Sequence, residues 1–139
     1  EIASMVSRKL LSEQQAQLVD CSKITRFFKT EIGNKLQSGA PCLREFKFSI
    51  LDDACKYSEG LDGEQVLLQG VVDCALLEPD GITVIDFKTD YVTEETLSDV
   101  IRRYRSQVHV YCDALSRIYE MPVKEAYIYF FHLDRFEAV

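Results

Sequence analysis

The sequence predicts an α/β or α+β fold in which helices flank a mixed central β-sheet. The segments follow the order helix, helix, strand, strand, strand, helix, strand. Two β-rich runs, 65–77 and 82–88, are joined at 78–81 by EPDG, a strong turn signal. The apolar residues between 97 and 118 then keep helical spacing over about six turns. The hairpin and the long amphipathic helix together predict a sheet with a helix packed on it.

The N-terminal part, 1–40, is predicted to be helical. Residues 3–20 have a helical composition, and Ser12 is a candidate N-cap for a second start within them. Ser22 is the predicted cap of the next helix. Apolar and polar side chains then alternate over 43–51, which predicts the first strand.

The remaining elements follow from composition and breakers. Residues 52–64 are acidic and contain two glycines, so they are interpreted as a loop before the hairpin. The long helix is predicted to begin at Thr93 and to end at Met121-Pro122. Residues 123–133 are rich in aromatic and β-branched side chains and are predicted to form the last strand.

Composition excludes several protein classes. A chain of 139 residues with 47% hydrophobic and 28% charged side chains fits one globular domain, not a disordered, collagen-like or disulfide-scaffold protein. No apolar run approaches the roughly 20 residues of a membrane helix. Five irregularly spaced cysteines without C-x-x-C predict reduced thiols in a cytoplasmic protein. Because the sequence starts at Glu1 and not at Met, we expect it to be part of a longer chain.

Charge is concentrated in the middle of the chain. The net charge of −7 argues against a simple nucleic-acid binder. Residues 51–100, however, carry 13 acidic and 2 basic side chains. This segment is either a solvated acidic surface or a site whose carboxylates bind a cation, and composition does not choose between them.

Three charged residues of the hairpin carry a conditional prediction. Asp86 and Lys88 share one face of their strand, and Asp73 lies on the other arm. An even number of loop residues would place Asp73 directly opposite Asp86, with Cβ atoms about 5 Å apart. A three-residue loop with a bulge at Gly81 would shift the register and separate the two carboxylates. The sequence leaves both registers open.

Facing carboxylates suit a metal site. They repel each other, but Mg²⁺ takes oxygen ligands from one or two carboxylates together with waters and phosphates. Lys88 beside such an ion could orient a water or steady a phosphate oxygen, which is the equipment of metal-assisted phosphodiester hydrolysis. The alternative is that Asp86 and Lys88 form an ordinary surface ion pair.

An amide and two phenols share a face of the long helix. Gln107 and Tyr111 are four residues apart, and Tyr104 precedes Gln107 by three. Such a set can hold a lysine, a water or a DNA phosphate. The alternative is a helix face with partly buried tyrosines.

Taken in order, three motifs resemble a known family. GVVD at 70–73, DFKTD at 86–90 and QVHVY at 107–111 are similar to the RecB-type branch of the PD-(D/E)xK nucleases, which have a restriction-endonuclease-like core. The runs LQGVVDCALLEPDGITVIDFKTD and YRSQVHVYCDAL look especially like the C-terminal nuclease domains of the AddA (RexA) type found in bacterial ATP-dependent helicase–nucleases. The resemblance covers residues 43–133.

The resemblance implies a set of site residues. The metal ligands would be Asp73, Asp86 and the backbone carbonyl of Phe87, with Mg²⁺ as cofactor and Mn²⁺ as a substitute. Lys88 would be the catalytic lysine. The supporting motif on the helix would be Gln107 and Tyr111. Glu45 matches a glutamate that is often present on the first strand and is either near the metal or structural.

The resemblance also implies a substrate and partners. Residues 1–139 would be a single nuclease domain that cuts DNA strands delivered by a helicase motor during double-strand break repair and recombination. Its partners would be helicase domains of the same full-length chain and a second nuclease protein of the AddB type. Arg102, Arg103 and Arg105 either contact DNA phosphates or form a solvated basic face.

The chain departs from the family pattern in one respect. RecB-type nucleases usually carry a histidine on an upstream helix that completes the metal site, whereas His109 and His132 lie downstream of the motifs. We therefore expect that the sequence begins after that helix. One alternative is a catalytically inactive module with a structural or DNA-guiding role. Another is a standalone restriction or CRISPR-associated nuclease.

Overall fold

The computed structural model describes all residues from Glu1 to Val139. Five strands form one sheet in the spatial order of the sequence, namely β1 (Cys42–Asp53), β2 (Gln65–Glu78), β3 (Gly81–Lys88), β4 (Val123–Phe130) and β5 (Arg135–Ala138). β3 and β4 are parallel, and every other neighbouring pair is antiparallel. The predicted mixed sheet with flanking helices is confirmed.

Four short helices precede the sheet and one long helix crosses it. They are α1 (Ile2–Ser7), α2 (Glu13–Leu18), α3 (Cys21–Phe27), α4 (Glu31–Gln37) and α5 (Leu97–Tyr119), and a short 3-10 turn, Ala54–Lys56, follows β1. α5 connects the parallel strands β3 and β4, as such a pair requires. No helix is both long and apolar enough to span a membrane.

Two predicted N-terminal helices are in fact four. Ser12 does start a new helix: its hydroxyl accepts from the Gln15 N–H, and the Gln15 side chain accepts from the Ser12 N–H. The prediction that Ser22 caps the next helix is wrong. Asp20 is the cap, because its carboxylate accepts from both the N–H and the hydroxyl of Ser22.

The second break falls between α3 and α4. The Thr30 hydroxyl accepts from the Gly33 N–H at 3.1 Å and so begins a new helix. Gly33 is required there, since an added Cβ would lie 2.2 Å from the carbonyl oxygen of Phe27. The apolar spacing of this region continues across the break, which is why the sequence predicts a single helix.

The sheet has two covered faces. The α5 face is packed by a large apolar cluster that includes Phe48, Val72, Val84, Val108, Tyr111, Leu115 and Ile128. The N-terminal face, under α3 and α4, is packed by Phe27, Leu36, Cys74, Leu76, Ile85 and Tyr129. Because side chains alternate along a strand, β3 contributes to both faces.

The hairpin resolves the open register. Glu78 pairs with Gly81 across a two-residue loop, and the ladder continues to the pair Cys74 and Ile85. Gly81 has φ 146°, a conformation that glycine adopts readily. The next positions in this register are Asp73 and Asp86, so the even-loop alternative holds. The ladder ends there, and β2 on the far side of Asp73 pairs with β1 alone.

In both strands of the β1–β2 ribbon, the side chains exchange faces of the sheet at the same point. Leu43 and Phe46 both pack against the α5-face cluster although they are three residues apart, and Glu45 between them has the left-handed φ of 49°. In β2, Val72 and Ala75 likewise both belong to the α5-face cluster although they are three residues apart, with Asp73 between them. Alternation alone would put residues three apart on opposite faces. The ribbon therefore rotates at Glu45 and Asp73, where β2 leaves β3.

Three element boundaries differ from the prediction. α5 begins at Leu97 because Thr93 and Thr96 close a turn before it, with the Thr93 N–H donor 3.1 Å from the Thr96 hydroxyl. β4 ends at Phe130, not at residue 133, and the chain reverses through a turn in which Asp134 has φ 51°. β5 follows this turn and is not predicted by the sequence pattern.

Candidate active site

Lys88 is held at the end of β3 by three different contacts. Its Nζ lies 2.6 Å from Oδ2 of Asp86, which shares its strand face, and 3.5 Å from Oε1 of Gln107 on α5. The same ammonium sits 4.1 Å from the ring centroid of Tyr104. The Lys88 side chain is 14% exposed and the Asp86 side chain 2%. The lysine therefore reaches solvent only at its tip.

Asp86 is a buried carboxylate whose charge is paired with Lys88. Its Oδ2 lies 2.6 Å from the Lys88 Nζ and has no further hydrogen-bond partner. Burial raises the pKa of this carboxyl, and the hydrogen bond and charge of Lys88 oppose that rise. A buried carboxylate requires a positive charge beside it, and the Lys88 ammonium supplies that charge here.

Asp73 lies where β2 and β3 separate. Its Oδ2 accepts from the Phe87 N–H at 2.8 Å, in the place where a β2 backbone carbonyl would otherwise pair. The Lys88 carbonyl accepts from Phe131 after β4, so the backbone groups of Phe87 point to the opposite side, toward β2. The carbonyl of Phe87 therefore points to the side of β3 on which Asp73 lies.

Gln107 and Tyr111 form the support expected from their spacing. The Gln107 amide accepts from Lys88 through Oε1 and donates to the Tyr111 hydroxyl through Nε2 at 2.7 Å. The Tyr111 ring packs edge-on against Phe48, with ring centroids 5.9 Å apart. Gly70 leaves room for both rings, since its Cβ would lie 2.6 Å from Phe48 and 3.1 Å from Tyr111.

One contact of the site is not predicted by the sequence. The Tyr104 hydroxyl donates to the Asp90 carboxylate, 3.3 and 3.4 Å from its two oxygens. Because the Tyr104 ring lies beneath the Lys88 ammonium, Asp90 fixes the ring that in turn orients the lysine. The position of Asp90 two residues after Lys88 is the only signal, and it does not reveal the tyrosine as its partner.

The residues at the site fit a hard divalent cation. Nowhere do three His, Cys, Asp or Glu side chains converge. Asp73 and Asp86 are the next two positions after the last paired residues of β2 and β3, and the Asp73 charge contributes to the raised pKa of Asp86. Mg²⁺ is commonly bound by one or two carboxylates plus waters and substrate phosphates. The oxygen donors are therefore of the right kind, and phosphate or water would have to complete the shell.

Glu45 lies near Asp73 but not near Lys88. It is opposite Asp73 in the ribbon, and both line a cavity of about 250 Å³ on the N-terminal face. Neither histidine is among the contacts of Lys88, which are Asp86, Gln107 and Tyr104. His109 lines a surface cavity with Asp52 and Asp113, and His132 packs against Tyr91.

The three arginines near the start of α5 are exposed but not equivalent. Arg103 precedes Gln107 by one helical turn and lies on nearly the same face of α5. Arg105 points about 200° away from Gln107. Arg102 pairs with Asp99 at 3.2 Å. Only Arg103 lies on the site's side of the helix.

Comparison with known proteins agrees with this geometry. Residues 3–138 match the model of the PD-(D/E)XK nuclease superfamily. An ATP-dependent helicase/nuclease protein of Alkaliphilus metalliredigens is 38% identical over 138 residues, which are 97% of this chain and 12% of the relative. The proteins of the same name from Acetivibrio thermocellus and Geobacillus thermodenitrificans are each 39% identical, over 94% and 100% of this chain and 11% and 12% of their own lengths. The chain therefore spans about an eighth of these relatives.

Proposed function

This chain belongs to the PD-(D/E)XK nuclease superfamily, and on that premise we propose that residues 1–139 form one metal-dependent deoxyribonuclease domain. The observation that supports this proposal best is the meeting of Asp73, Asp86 and Lys88 where β2 leaves β3. Lys88 is in addition held by Gln107 and by the Tyr104 ring, so these charged groups form a set and not an isolated ion pair.

The proposed metal ligands are Asp73, Asp86 and the backbone carbonyl of Phe87, and the proposed ion is Mg²⁺, which Mn²⁺ can replace. When bound, such an ion polarises a phosphoryl oxygen and lowers the pKa of its bound water. Asp86 would offer its buried carboxylate, which is paired with Lys88, and Asp73 would offer the oxygen that does not accept from Phe87.

Lys88 is the proposed catalytic lysine. Its Nζ donates to a non-bridging oxygen of the scissile phosphate, where negative charge accumulates in the transition state. Gln107 and the Tyr104 ring keep the ammonium in one position, so little reorganisation is needed when the substrate arrives. Tyr111 orients Gln107 through its hydroxyl.

The substrate and partners are proposed from the relatives' names. Those proteins are named as components of an ATP-dependent helicase/nuclease, and we propose that this domain cuts single DNA strands that ATP-driven helicase domains deliver to it. Double-strand break repair and recombination, with a second nuclease protein of the AddB type, is the proposed setting. Delivery by a motor explains how a domain with net charge −7 meets DNA. Of the arginines expected from the sequence, Arg103 is the proposed phosphate contact, because Arg102 pairs with Asp99 and Arg105 points away from the site.

One observation favours a second candidate. No group of three His, Cys, Asp or Glu side chains that could together hold a metal ion is present. A nuclease-fold module without catalysis, with a structural or DNA-guiding role, would show the same incomplete set.

The deciding experiment is cleavage of end-labelled single-stranded DNA by this chain in Mg²⁺ or Mn²⁺, with EDTA as the metal-free control. We expect metal-dependent cutting that Asp86→Ala and Lys88→Ala abolish. Asp113→Ala is the matched control, because Asp113 is an exposed aspartate of α5 away from the site. Absence of cutting both by this chain and by one extended at its N-terminus to include the histidine helix would leave only the non-catalytic module.

A further inference from the structure

An exposed aromatic pair lies at the same end of the sheet as Lys88. Tyr91 is 78% exposed, and its ring centroid is 4.3 Å from that of His132. Tyr91 follows Lys88 by three residues, and His132 follows Phe130 by two. Lys88 and Phe130 are register partners in the parallel pair of β3 and β4. The two rings therefore extend the edge on which the catalytic lysine sits.

A cavity of about 370 Å³ adjoins this pair. Thr89 and His132 line it from the sheet, and Leu18, Lys23 and Ile24 line it from the N-terminal helices. Leu18 is 84% exposed and Ile24 is 42% exposed, so the apolar wall is open to solvent. Lys23 adds a positive charge to it. Asp20, which also lines the cavity, is engaged by the N–H and hydroxyl of Ser22.

We propose that Tyr91 and His132 stack an unpaired nucleobase of the DNA strand whose phosphate lies at Lys88, and that Lys23 contacts a neighbouring phosphate. This subsite rests on the proposed nuclease function and deepens it. Aromatic faces bind the bases of single strands without sequence preference, whereas bases inside a duplex are already stacked on each other. The subsite therefore selects single strands by their unstacked bases.

Continuity with the site favours a nucleic acid over a protein at this surface. Thr89 directly follows Lys88 and lines the cavity. Asp90, which precedes Tyr91, anchors the ring beneath Lys88. The nucleotides next to a phosphate at Lys88 would lie within reach of this end of β3 and β4, where Tyr91 and His132 follow the two strands. A large exposed ring beside a cation matches what such a strand presents.

The test is binding of a fluorescein-labelled oligo-dT by this chain in EDTA and, separately, in Ca²⁺, read by anisotropy. Tyr91→Leu removes the aromatic face at similar size, and Tyr91→Phe retains it. We expect about tenfold weaker binding for the leucine variant and unchanged binding for the phenylalanine variant. Tyr57→Leu, at another exposed tyrosine far along the chain, is the control and should bind as the wild type does.

Abasic substitution locates the base. We expect one abasic position in the oligonucleotide to weaken wild-type binding about tenfold and to leave the Tyr91→Leu variant unaffected. Equal binding by Tyr91→Leu and the wild type would overturn the subsite, as would equal sensitivity at every abasic position or no DNA binding at all. Unchanged DNA binding with an altered oligomeric state would assign the surface to a protein contact. Because the readout is binding, the subsite can stand even if cleavage fails, and cleavage can stand without the subsite.

Discussion

The two faces of the sheet differ in that only one of them carries charged groups at the edge of its apolar cluster. On the N-terminal face, Phe27 is the centre of an all-aromatic and aliphatic cluster whose rings meet Phe87 and Tyr129 at 5.1 and 5.0 Å. On the α5 face, an equally apolar cluster ends at Asp86 and Lys88, where polar groups replace it.

This difference separates stability from chemistry within a single strand. β3 places Ile85 and Phe87 on the N-terminal face and Asp86 and Lys88 on the α5 face. The buried ion pair on one face is tolerated because Ile85 and Phe87 are packed on the other face. Variants on the two faces should therefore fail in different assays.

The largest effect is expected at Asp86. Asp86→Asn keeps the shape but removes the charge, so the proposed cleavage rate should fall at least about a hundredfold. The free energy of unfolding should change little, because the neutral amide avoids the desolvation that raises the pKa of Asp86, and this offsets the lost pairing with Lys88. Single-turnover cleavage and urea denaturation would measure the two quantities. A variant that unfolds but cuts normally when folded would contradict the assignment.

Phe27→Ala should give the opposite result. Truncating a ring that is 3% exposed should lower the free energy of unfolding by about 3–5 kcal/mol. Cleavage per folded molecule, measured at low temperature, should stay within a few-fold of wild type because Phe27 lies across the sheet from Lys88. A loss of stability below about 1 kcal/mol would show that the N-terminal helices do not hold this face.

Two glycines compare the faces directly. In Gly33→Ala the new Cβ meets the backbone of Phe27 and Phe28 at 2.2–2.9 Å, so the turn between α3 and α4 must move. In Gly70→Ala it meets the side chains of Phe48 and Tyr111, which can shift at a cost of about 1–3 kcal/mol. We expect Gly33→Ala to lose more stability and Gly70→Ala to lose more activity, through Tyr111. Thermal unfolding and cleavage of both variants would show whether the order is reversed.

The smallest effect is expected at Tyr104. Tyr104→Phe keeps the ring beneath Lys88 and loses only the bond to Asp90, so the cleavage rate should change about twofold. Tyr104→Leu removes the ring and should cost roughly two- to thirtyfold, the range of a cation–π contact. Equal rates for the two variants would mean that the ring does not position the lysine.

Much of the site could be predicted because its spacings are short. The period of two places Asp86 and Lys88 together, and the helical period places Gln107 with Tyr111. The register of Asp73 is not decidable from EPDG, because both an even loop and a bulge suit that turn. The role of its carboxylate as acceptor for the Phe87 N–H depends on where two strands separate, which no local pattern records.

The missed elements have a common cause. The aromatic run after Val123 continues past Phe130, so the sequence pattern does not mark the turn before β5, in which Asp134 takes a left-handed conformation. The break between α3 and α4 likewise depends on one hydroxyl, that of Thr30, and on the tight approach at Gly33. Apolar periodicity reports burial, and burial continues through both breaks.

The separation of β2 from β3 at Asp73 has a practical consequence for handling this protein. Before Asp73, β2 pairs with β1 alone, and the ribbon that these two strands form ends in the solvent-exposed segment 57–64. Exposed loop tips of this kind accept inserted sequence and attached dyes better than other parts of a domain. A peptide tag or fluorophore placed there would be carried by the ribbon and by α5 beneath it, while β3 and its lysine stay untouched. The same tip would let the domain be tethered to a surface with the Asp86–Lys88 end of β3 free.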